Sequence, residues 1–407
     1  VLITSRISDW TGNVISLDRD VLSEAASIAF LNERTHERRP KRDDDGENVA
    51  ELVELLDCLA LALEQAGAHI SSTVISYADY IALWESHRIT ALTWHDEEKM
   101  KYPRSLAITY ESSVAQLSDG AKALFRILSW FAPDPVPRNL LESRPDAADQ
   151  KRFLGEFDRL HLARYLGDGK AFSIHRLNQE ITRQQQNCEL PKDLERSVEW
   201  LEKVIPDNTN DIETWTVAIP LSPHAIAAAT SAIDRSIPDP SCRVIKRAAL
   251  LFQSMGNYSS SEKHIKRAIE AISSNHGENA QIITDYLYDL AEIFRATNRP
   301  SEAEAGMLRA LALDEINYGN FHSKVARDLS VVGLLQLASN RLSEAEKTFR
   351  RALEISERCQ GGEHPDVARD LINLSLLLRE KRFFHEAEPL IRRAIEIDER
   401  VFGEGHP

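Results

Sequence analysis

The chain has 407 residues, of which 43% are hydrophobic and 28% are charged, and its formal net charge at pH 7 is −15. This composition is typical of a soluble protein with more than one domain, and the acidic balance argues against nonspecific nucleic-acid binding, because phosphate contacts need a basic face. No run of about 18 apolar residues, no signal peptide and no metal-ligand spacing of the four cysteines is apparent, so we expect a cytoplasmic protein without a membrane segment or metal site.

The first 34 residues predict a short α/β segment. Residues 1–6 are typical of a buried strand, residues 14–17 of a second strand and residues 23–34 of a helix. Residues 35–117 predict a helical domain, with an apolar helix over 49–70 and further helices at about 77–86 and 106–116.

Residues 118–190 predict a winged helix. Helices are expected at 118–130 and 146–162, and Pro residues between 133 and 137 separate them. Residues 163–166 and 171–175 flank the turn Gly167-Asp168-Gly169 and predict a two-stranded wing, which a helix at 176–185 follows. Residues 191–239 predict a helical linker.

The C-terminal part, residues 240–407, carries an internal repeat of 42 residues. The dipeptide Arg-Ala marks the repeat at 267–268, 309–310, 351–352 and 393–394, and the triplet Glu-Ala-Glu recurs at 302–304, 344–346 and 386–388. A unit of this length is two helices and a turn, and a fixed period of about 20–50 residues predicts a solenoid.

Small and large residues are placed within each unit as two antiparallel helices require. The first helix has an apolar residue followed by a small one, and the second helix has a small, a large and a small residue in turn. These positions are Ala248, Ala249, Ser261, Ile265 and Ala268 in the first unit, Leu290, Ala291, Ala303, Met307 and Ala310 in the second, Val332, Gly333, Ala345, Phe349 and Ala352 in the third, and Leu374, Ser375, Ala387, Ile391 and Ala394 in the fourth.

With this spacing the repeat resembles the tetratricopeptide repeat (TPR) family, in the longer form found in kinesin light chains. The resemblance implies an α-solenoid of four helix hairpins that binds a protein or peptide. Glu315, Glu357 and Glu399 replace the Pro that often closes the family's second helix, so we expect that helix to run on for two more turns. The chain lacks an initial Met and stops where another repeat would start, so we expect it to be part of a longer protein.

Three stretches before the repeats resemble the STAND class of signalling P-loop ATPases, in particular NB-ARC proteins with C-terminal TPR arrays. Residues 2–6 resemble the strand that ends in a phosphate-sensing Arg, residues 59–67 the Gly-Leu-Pro-Leu-Ala helix, and residues 174–176 the Met-His-Asp motif. The resemblance implies ADP or ATP with Mg in the full-length protein. Its contacts would be Arg6 at the γ-phosphate, His175 at the β-phosphate, and Leu59, Ala60 and Leu61 on the adenine side.

Several residues depart from those motifs. Ala60 stands where the family has Pro, Cys58 where it has Gly, and Arg176 where it has Asp. No Gly-x4-Gly-Lys-Ser/Thr loop occurs in the 407 residues. We therefore expect no catalysis and no bound nucleotide in this segment alone, and a P-loop in a slow full-length ATPase would have to precede Val1.

These candidates also have structural alternatives. Arg6 is able to pair with a carboxylate at the end of a strand. His175 is able to be a purely structural residue at the N-terminus of a helix. For Ala60 we favour a place in the hydrophobic core.

The first helices of the repeats line the concave surface in the TPR family, so equivalent positions form columns. The partner-binding candidates in these columns are Arg243, Tyr288, Arg295, Arg327, Arg369, Asn373 and Arg379. Spaced arginines are able to hold the backbone and acidic side chains of an extended peptide. Alternatively, these arginines pair with acidic residues on neighbouring helices.

The fold class is therefore mainly α, with a short α/β remnant of a P-loop NTPase domain, a helical domain, a winged helix and a TPR solenoid. We expect the C-terminal part of a nucleotide-switched signalling ATPase, whose TPR array receives a protein ligand and which forms a nucleotide-dependent homo-oligomer. A TPR adaptor without a functional nucleotide site is the second hypothesis. A winged-helix transcription regulator is disfavoured, because the helix after the wing has only Arg176 and Arg183 as basic residues.

Overall fold

The computed structural model describes residues 22–36, 39–96, 100, 105–143, 147–166, 169–185, 190–207, 211–237, 239–277 and 281–403. Within these ranges the chain is mainly helical, with twenty helices and three short strands. It divides into two compact units, Val1–Ile205 with Ile219–Ala232, and Pro206–Ala218 with Ile233–Pro407. The predicted strands at 1–6 and 14–17, and Arg6 with them, lie outside the described residues.

The first unit begins with six helices. They are α1 (Glu24–Thr35), α2 (Asp45–Leu55), α3 (Ala60–Thr73), α4 (Tyr77–Ser86), α5 (Arg88–Thr93) and α6 (Leu106–Val114). The prediction of one helix over 49–70 is wrong, because the chain turns between α2 and α3. Asp57 and Cys58 adopt the left-handed conformation, with φ of 52° and 55°. Leu56 and Leu59 keep the apolar pattern across the turn, so hydrophobic periodicity does not reveal it.

A three-stranded antiparallel sheet follows within the same unit. The elements are α7 (Asp119–Leu128), β1 (Val136–Pro137), α8 (Asn139–Glu142), α9 (Ala147–Arg159), β2 (Ala163–Leu166), β3 (Ala171–Ile174) and α10 (Arg176–Gln185). The predicted hairpin is present as β2 and β3, and Phe172 of β3 pairs with Tyr165 of β2 and Val136 of β1. Strand β1 was not predicted, because Pro137 is tolerated in it only at the edge of the sheet.

Two longer helices, α11 (Leu190–Val204) and α12 (Ile212–Ile233), occupy most of the predicted linker. By length and composition alone, α12 would suffice to cross a membrane, with a mean hydropathy of 1.3 over its best 18-residue window, of which 44% is buried in the fold. The expectation that no segment is long and apolar enough was therefore wrong. The buried face of α12 includes Ala225, Ala228, Ala229 and Ala232, a spacing that core helices also show.

The second unit contains four helix hairpins. They are α13 (Ser241–Ser254) with α14 (Tyr258–His276), α15 (Ile283–Ala296) with α16 (Pro300–Tyr318), α17 (Ser323–Ala338) with α18 (Leu342–Gln360), and α19 (Pro365–Glu380) with α20 (Phe384–Phe402). Each second helix begins and ends at the same repeat position and continues past the position of the family's Pro, as predicted, but α16, α18 and α20 end three residues after Glu315, Glu357 and Glu399, so the extension is less than one turn and not the two turns expected. A glycine with positive φ follows each of them, at 277, 319, 361 and 403.

The turn inside each hairpin repeats as well. Gly256, Asn298, Asn340 and Arg382 are 42 residues apart and have φ of 78°, 58°, 58° and 63°. The N–H of the residue after each of them donates to a carbonyl oxygen five residues earlier, as in Arg299 to Phe294 at 2.8 Å. This left-handed cap ends the first helix and reverses the chain, so the second helix packs back on the first.

The predicted seam forms the core of the hairpins. The alanines of the Arg-Ala pairs, Ala268, Ala310, Ala352 and Ala394, are at most 1% exposed. The large residues Ile265, Met307 and Phe349 are fully buried, whereas Ile391 of the last hairpin is 39% exposed. Small residues at these positions let the helix backbones approach closely.

Two arginines of the Arg-Ala pairs form ion pairs with the preceding repeat. Arg351 lies 2.5 Å from Glu315, and Arg393 lies 2.5 Å from Glu357 of the preceding repeat. Glu315 and Glu357 occupy the position where the shorter family repeat often has Pro. The Arg of the Arg-Ala pair and the Glu at the Pro position are therefore ion-pair partners in neighbouring repeats.

Candidate functional sites

His175 lies next to the turn that precedes α3. Its Nε2 atom is 3.2 Å from Oδ2 of Asp57, and Asp57 is two residues before Leu59. The Nδ1 atom of His175 accepts the N–H of Leu177 at the start of α10, at 3.2 Å. Of the three stretches that resemble a nucleotide site, residues 174–176 thus contact Asp57, in the turn directly before residues 59–67.

Burial governs the protonation of His175. Loss of solvent lowers its pKa below the ordinary value of a histidine, the carboxylate of Asp57 raises it, and the charge of Arg176 lowers it again. The Arg176 Nε atom lies 4.0 Å from Asp57 Oδ2. The Nε and Nη2 atoms of Arg176 are buried without a hydrogen-bond partner among the described residues, whereas Asp57 is beside Nε2 of His175.

The three residues predicted on the adenine side lie at the start of α3. Leu59 and Leu61 are half-buried and Ala60 is exposed, so the expected place of Ala60 in the core is wrong. Leu59 precedes the helix in an extended conformation, and no side chain caps the first N–H groups of α3. An uncapped helix N-terminus favours negative charge.

These residues fit one part of an adenine nucleotide. The buried Nε and Nη2 nitrogens of Arg176 are donors of the kind that phosphate oxygens accept, and Nε2 of His175 would have to leave Asp57 to donate to a phosphate. The carboxylate of Asp57 would oppose a phosphate beside it, and the sequence contains no Gly-rich loop for a polyphosphate chain. The fit therefore extends to a single phosphate contact.

The predicted partner-binding residues lie on the first helices of the hairpins. We call the accessible side of α13, α15, α17 and α19 that includes Lys246, Tyr288, Arg327, Val331, Leu334 and Ile372 the first-helix face. The guanidinium of Arg327 on α17 lies over the ring of Tyr288 on α15, 5.3 Å from its centre. Burial raises the pKa of Tyr288, and the carboxylate of Glu292 adds to this.

Most of the predicted arginines have acidic partners. Arg327 Nη2 lies 3.4 Å from Asp328 Oδ1, and Arg369 Nη1 lies 2.7 Å from Asp366 Oδ1. Arg295 pairs with Glu292 at 2.7 Å, and Arg243 pairs with Asp239. Within the described ranges Arg379 is exposed and makes no ion pair, while Asn373 is only 7% exposed and has little surface for a partner.

An apolar strip on this face was not among the predicted site residues. Val331 and Leu334 are one turn apart on α17, and Ile372 lies on α19, which contacts α17. Leu334 is 40% exposed and Ile372 is 39% exposed. The apolar i, i+3 spacing of residues 331 and 334 was a signal in the sequence, but only the hairpin packing shows that it faces outward.

A second unpredicted contact is the pair of Lys246 and Asp289, at 2.7 Å between α13 and α15. Burial raises the pKa of Asp289, and Lys246 opposes that shift. The ammonium of Lys246 also lies 4.9 Å from the centre of the Tyr286 ring. This part of the first-helix face is consequently charge-balanced.

Residues 242–316 and 330–400 match the tetratricopeptide repeat family. These two stretches are tetratricopeptide repeats. Each stretch covers two successive hairpins of the second unit, so the TPR array includes α13 to α20. A comparison with curated proteins gives no match.

The chain is similar to many solved structures. BtubC from P. vanneervenii is 21% identical, with 55% of this chain and 94% of that chain covered and a TM-score of 0.41. A STAND protein with a tetratricopeptide repeat sensor from Pyrococcus horikoshii is 14% identical, with 93% of this chain and 60% of that chain covered and a TM-score of 0.34. At these TM-scores neither likeness carries an argument of its own.

Proposed function

We propose that the TPR array binds an extended segment of a protein partner along the first-helix face. The observation that carries this proposal is the apolar strip of exposed Leu334 and Ile372 and half-buried Val331, beside a row of arginines. Apolar side chains of a partner would cover the strip, and the partner's backbone carbonyls or carboxylates would meet Arg379.

Arg327 and Arg369 contribute to this face mainly by holding its shape. Both guanidinium groups contact buried carboxylates, those of Asp328 and Asp370, at 3.4 Å. Reversing their charge would place a carboxylate beside a buried one and disturb the array itself. Leu334 and Arg379 are therefore the better positions for a binding test, because both are exposed.

The test uses linear peptides selected from a random display library on the whole chain. We expect Leu334→Asp and Arg379→Glu each to lower the affinity for the selected peptides about tenfold or more, which corresponds to roughly 1.4 kcal/mol of binding free energy. Arg392→Glu is the control, since Arg392 is on the second helix α20 and its side chain is 72% exposed. Unchanged affinity in both face variants, or an equal loss in the control, would remove the first-helix face from consideration.

A second candidate function is a nucleotide switch in the first unit. It is favoured by the contact of His175 with Asp57, which joins the two motif-like stretches of that unit. A bound nucleotide would supply negative phosphate charge, and this charge would favour one of two conformations of the first unit over the other. His175 and Arg176 would donate hydrogen bonds to a phosphate oxygen, and the half-buried Leu59 and Leu61 would exclude water from one side of the base.

The nucleotide test uses the longest form of the protein, including any residues before Val1. We expect purified protein to retain ADP, detected by chromatography after denaturation, and His175→Gln to retain about tenfold less. His87→Ala is the control, because His87 is exposed. If the protein carries no nucleotide and ADP with Mg produces no binding heat, the switch is rejected and the adaptor hypothesis stands.

We also propose that residues 118–190 form a winged helix. The supporting observation is the order of α7 to α10 around a three-stranded sheet with β2 and β3 as the wing. A DNA-binding role has no matching support. Arg183 donates to the carbonyl of Ser129 at 3.0 Å and pairs with Glu180 at 2.8 Å, so its charge is used within the domain.

A further inference from the structure

Two aspartates meet in the interior of the TPR array. Asp314, on α16, is 0% exposed and Asp328, on α17, is 1% exposed. A hydrogen bond with Asp314 contributes to the raised pKa of Asp328, and the side chains at the equivalent positions of the next repeat, Ser356 and Asp370, lie 2.5 Å apart. Both carboxyl oxygens of Asp314 and Oδ2 of Asp328 have no other hydrogen-bond partner among the described residues. Two ionised carboxylates cannot donate to each other, so a hydrogen bond between them requires a proton.

In the next repeat, the buried aspartate faces a serine instead of a second aspartate. Asp370 is 42 residues after Asp328, and Ser356 is 42 residues after Asp314. Ser356 donates to Asp370 Oδ2 at 2.5 Å, and Ser330 donates to Asp370 Oδ1 at 2.6 Å. The buried carboxylate of that repeat is therefore satisfied as an anion, whereas the pair in the preceding repeat is not.

The surroundings of the pair contain few compensating charges. On α17, Arg327 touches Asp328 at 3.4 Å, and Lys324 is attracted by Asp314. On α15, Asp285 lies 3.9 Å from Arg327. The positive charge of Arg327 is therefore shared between Asp285 and Asp328. Tyr288 of α15, Tyr318 of α16 and Arg369 of α19 are the other titratable groups facing this region. From α18, the apolar residues Ala352 and Ile355 belong to the hydrophobic core cluster beside this region.

We propose that Asp314 and Asp328 form a proton-operated joint between the second and third TPR hairpins. With one shared proton the two carboxyl groups bind α16 to α17. When that proton leaves, two buried negative charges face each other across the helix interface and loosen it.

The sign of the effect follows from the direction of the shift. Burial and, after it, the charge of Asp314 raise the pKa of Asp328 to about 7, against the opposing effect of Arg327. A carboxyl whose pKa is higher in the folded chain stabilises the fold at low pH, and this stability declines as the pH rises through the folded value. The joint is thus tight in mild acid and loose in mild alkali.

Amide hydrogen exchange of the whole chain tests the joint. After correction for intrinsic exchange rates, we expect protection in α16 and α17 to fall about tenfold between pH 6 and pH 8.5. Asp314→Ser reproduces the Ser356–Asp370 arrangement of the next repeat, so it should hold protection within about twofold over that range. If Asp314→Ser folds poorly, Asp328→Asn replaces it in the test. Its amide cannot ionise, so its protection should also stay nearly constant over that pH range.

Two controls localise the response. Asp370→Asn should lower protection equally at both pH values, because it weakens the hydrogen bonds from Ser330 and Ser356 and leaves Asp314 and Asp328 in place. Asp289→Asn removes another carboxyl group whose pKa burial raises, and should leave the response of α16 and α17 unchanged. Equal wild-type protection at pH 6 and pH 8.5, or the full wild-type loss in Asp314→Ser or Asp328→Asn, would overturn the proposal.

Discussion

Gly333 of α17 faces the ring of Phe349 of α18 without room for another atom: a Cβ on Gly333 would lie 2.5 Å from Cε1 of Phe349. Phe349 is fully buried and fills the third hairpin. We expect Gly333→Ala to destabilise the array by about 1–3 kcal/mol, since an overpacked core must displace the ring or the helix. Thermal unfolding measures the loss.

The control for this substitution is Gly306→Ala. Gly306 is inside α16, and a Cβ there meets nothing within 4 Å. The same change should raise stability by about 0.5–1 kcal/mol through helix propensity. A similar response of the two variants would contradict the close contact between Gly333 and Phe349.

The ion pair of Arg351 and Glu315 should contribute little energy despite its recurrence. Their side chains are 43% and 28% exposed, so water and salt screen the attraction. A double-mutant cycle with Arg351→Ala and Glu315→Ala should give a coupling energy of about 0.2–1 kcal/mol that shrinks at high salt. A coupling above about 2 kcal/mol would indicate a stronger role than the geometry predicts.

Charge reversal should separate structural arginines from exposed ones. Arg327→Glu places a third carboxylate near Asp328 and Asp285, and we expect it to destabilise the array by roughly 1–3 kcal/mol. Arg379→Glu changes an exposed position and should stay within about 0.5 kcal/mol of the wild type. Chemical denaturation of both variants checks this ordering, and the opposite ordering would refute the assignment of Arg327 to the framework.

Asp57→Asn should lower the pKa of His175 further. Burial already lowers this pKa, and the Asp57 carboxylate is the main group that opposes the shift. NMR titration of the imidazole measures the change, with exposed His87 as an internal reference. A pKa that stays the same or rises would mean that the contact between Asp57 and His175 does not form in solution.

The first unit should also lose stability in acid. Burial lowers the pKa values of His69, His175 and His224. Because the unfolded chain binds these protons more readily, the stability they contribute is present above about pH 6.5 and is lost as the pH falls. Hydrogen exchange in α3 and α10 at pH 5.5 and pH 7.5 measures this, and higher protection in acid would contradict it.

The sequence by itself determined the elements whose signals are local. The 42-residue period located the hairpins, the small residues of the seam and the extended second helices, because each depends on periodicity along one or two helices. Most helices of the first unit followed from the same signal. The short helices α5 and α8 did not, since six and four residues carry too little periodicity.

The tertiary structure decided everything that depends on contacts between distant residues. The left-handed turn at Asp57 was hidden by a continuous apolar pattern, and its contact with His175 joins positions more than a hundred residues apart. The sequence placed Arg327 and Arg369 on the correct helices, but only the packed array shows that buried aspartates hold them. Likewise, the 42-residue repeat makes Asp314 and Ser356 equivalent, while only the packing shows that each faces a buried aspartate, which Ser356 can satisfy as a donor and an ionised Asp314 cannot.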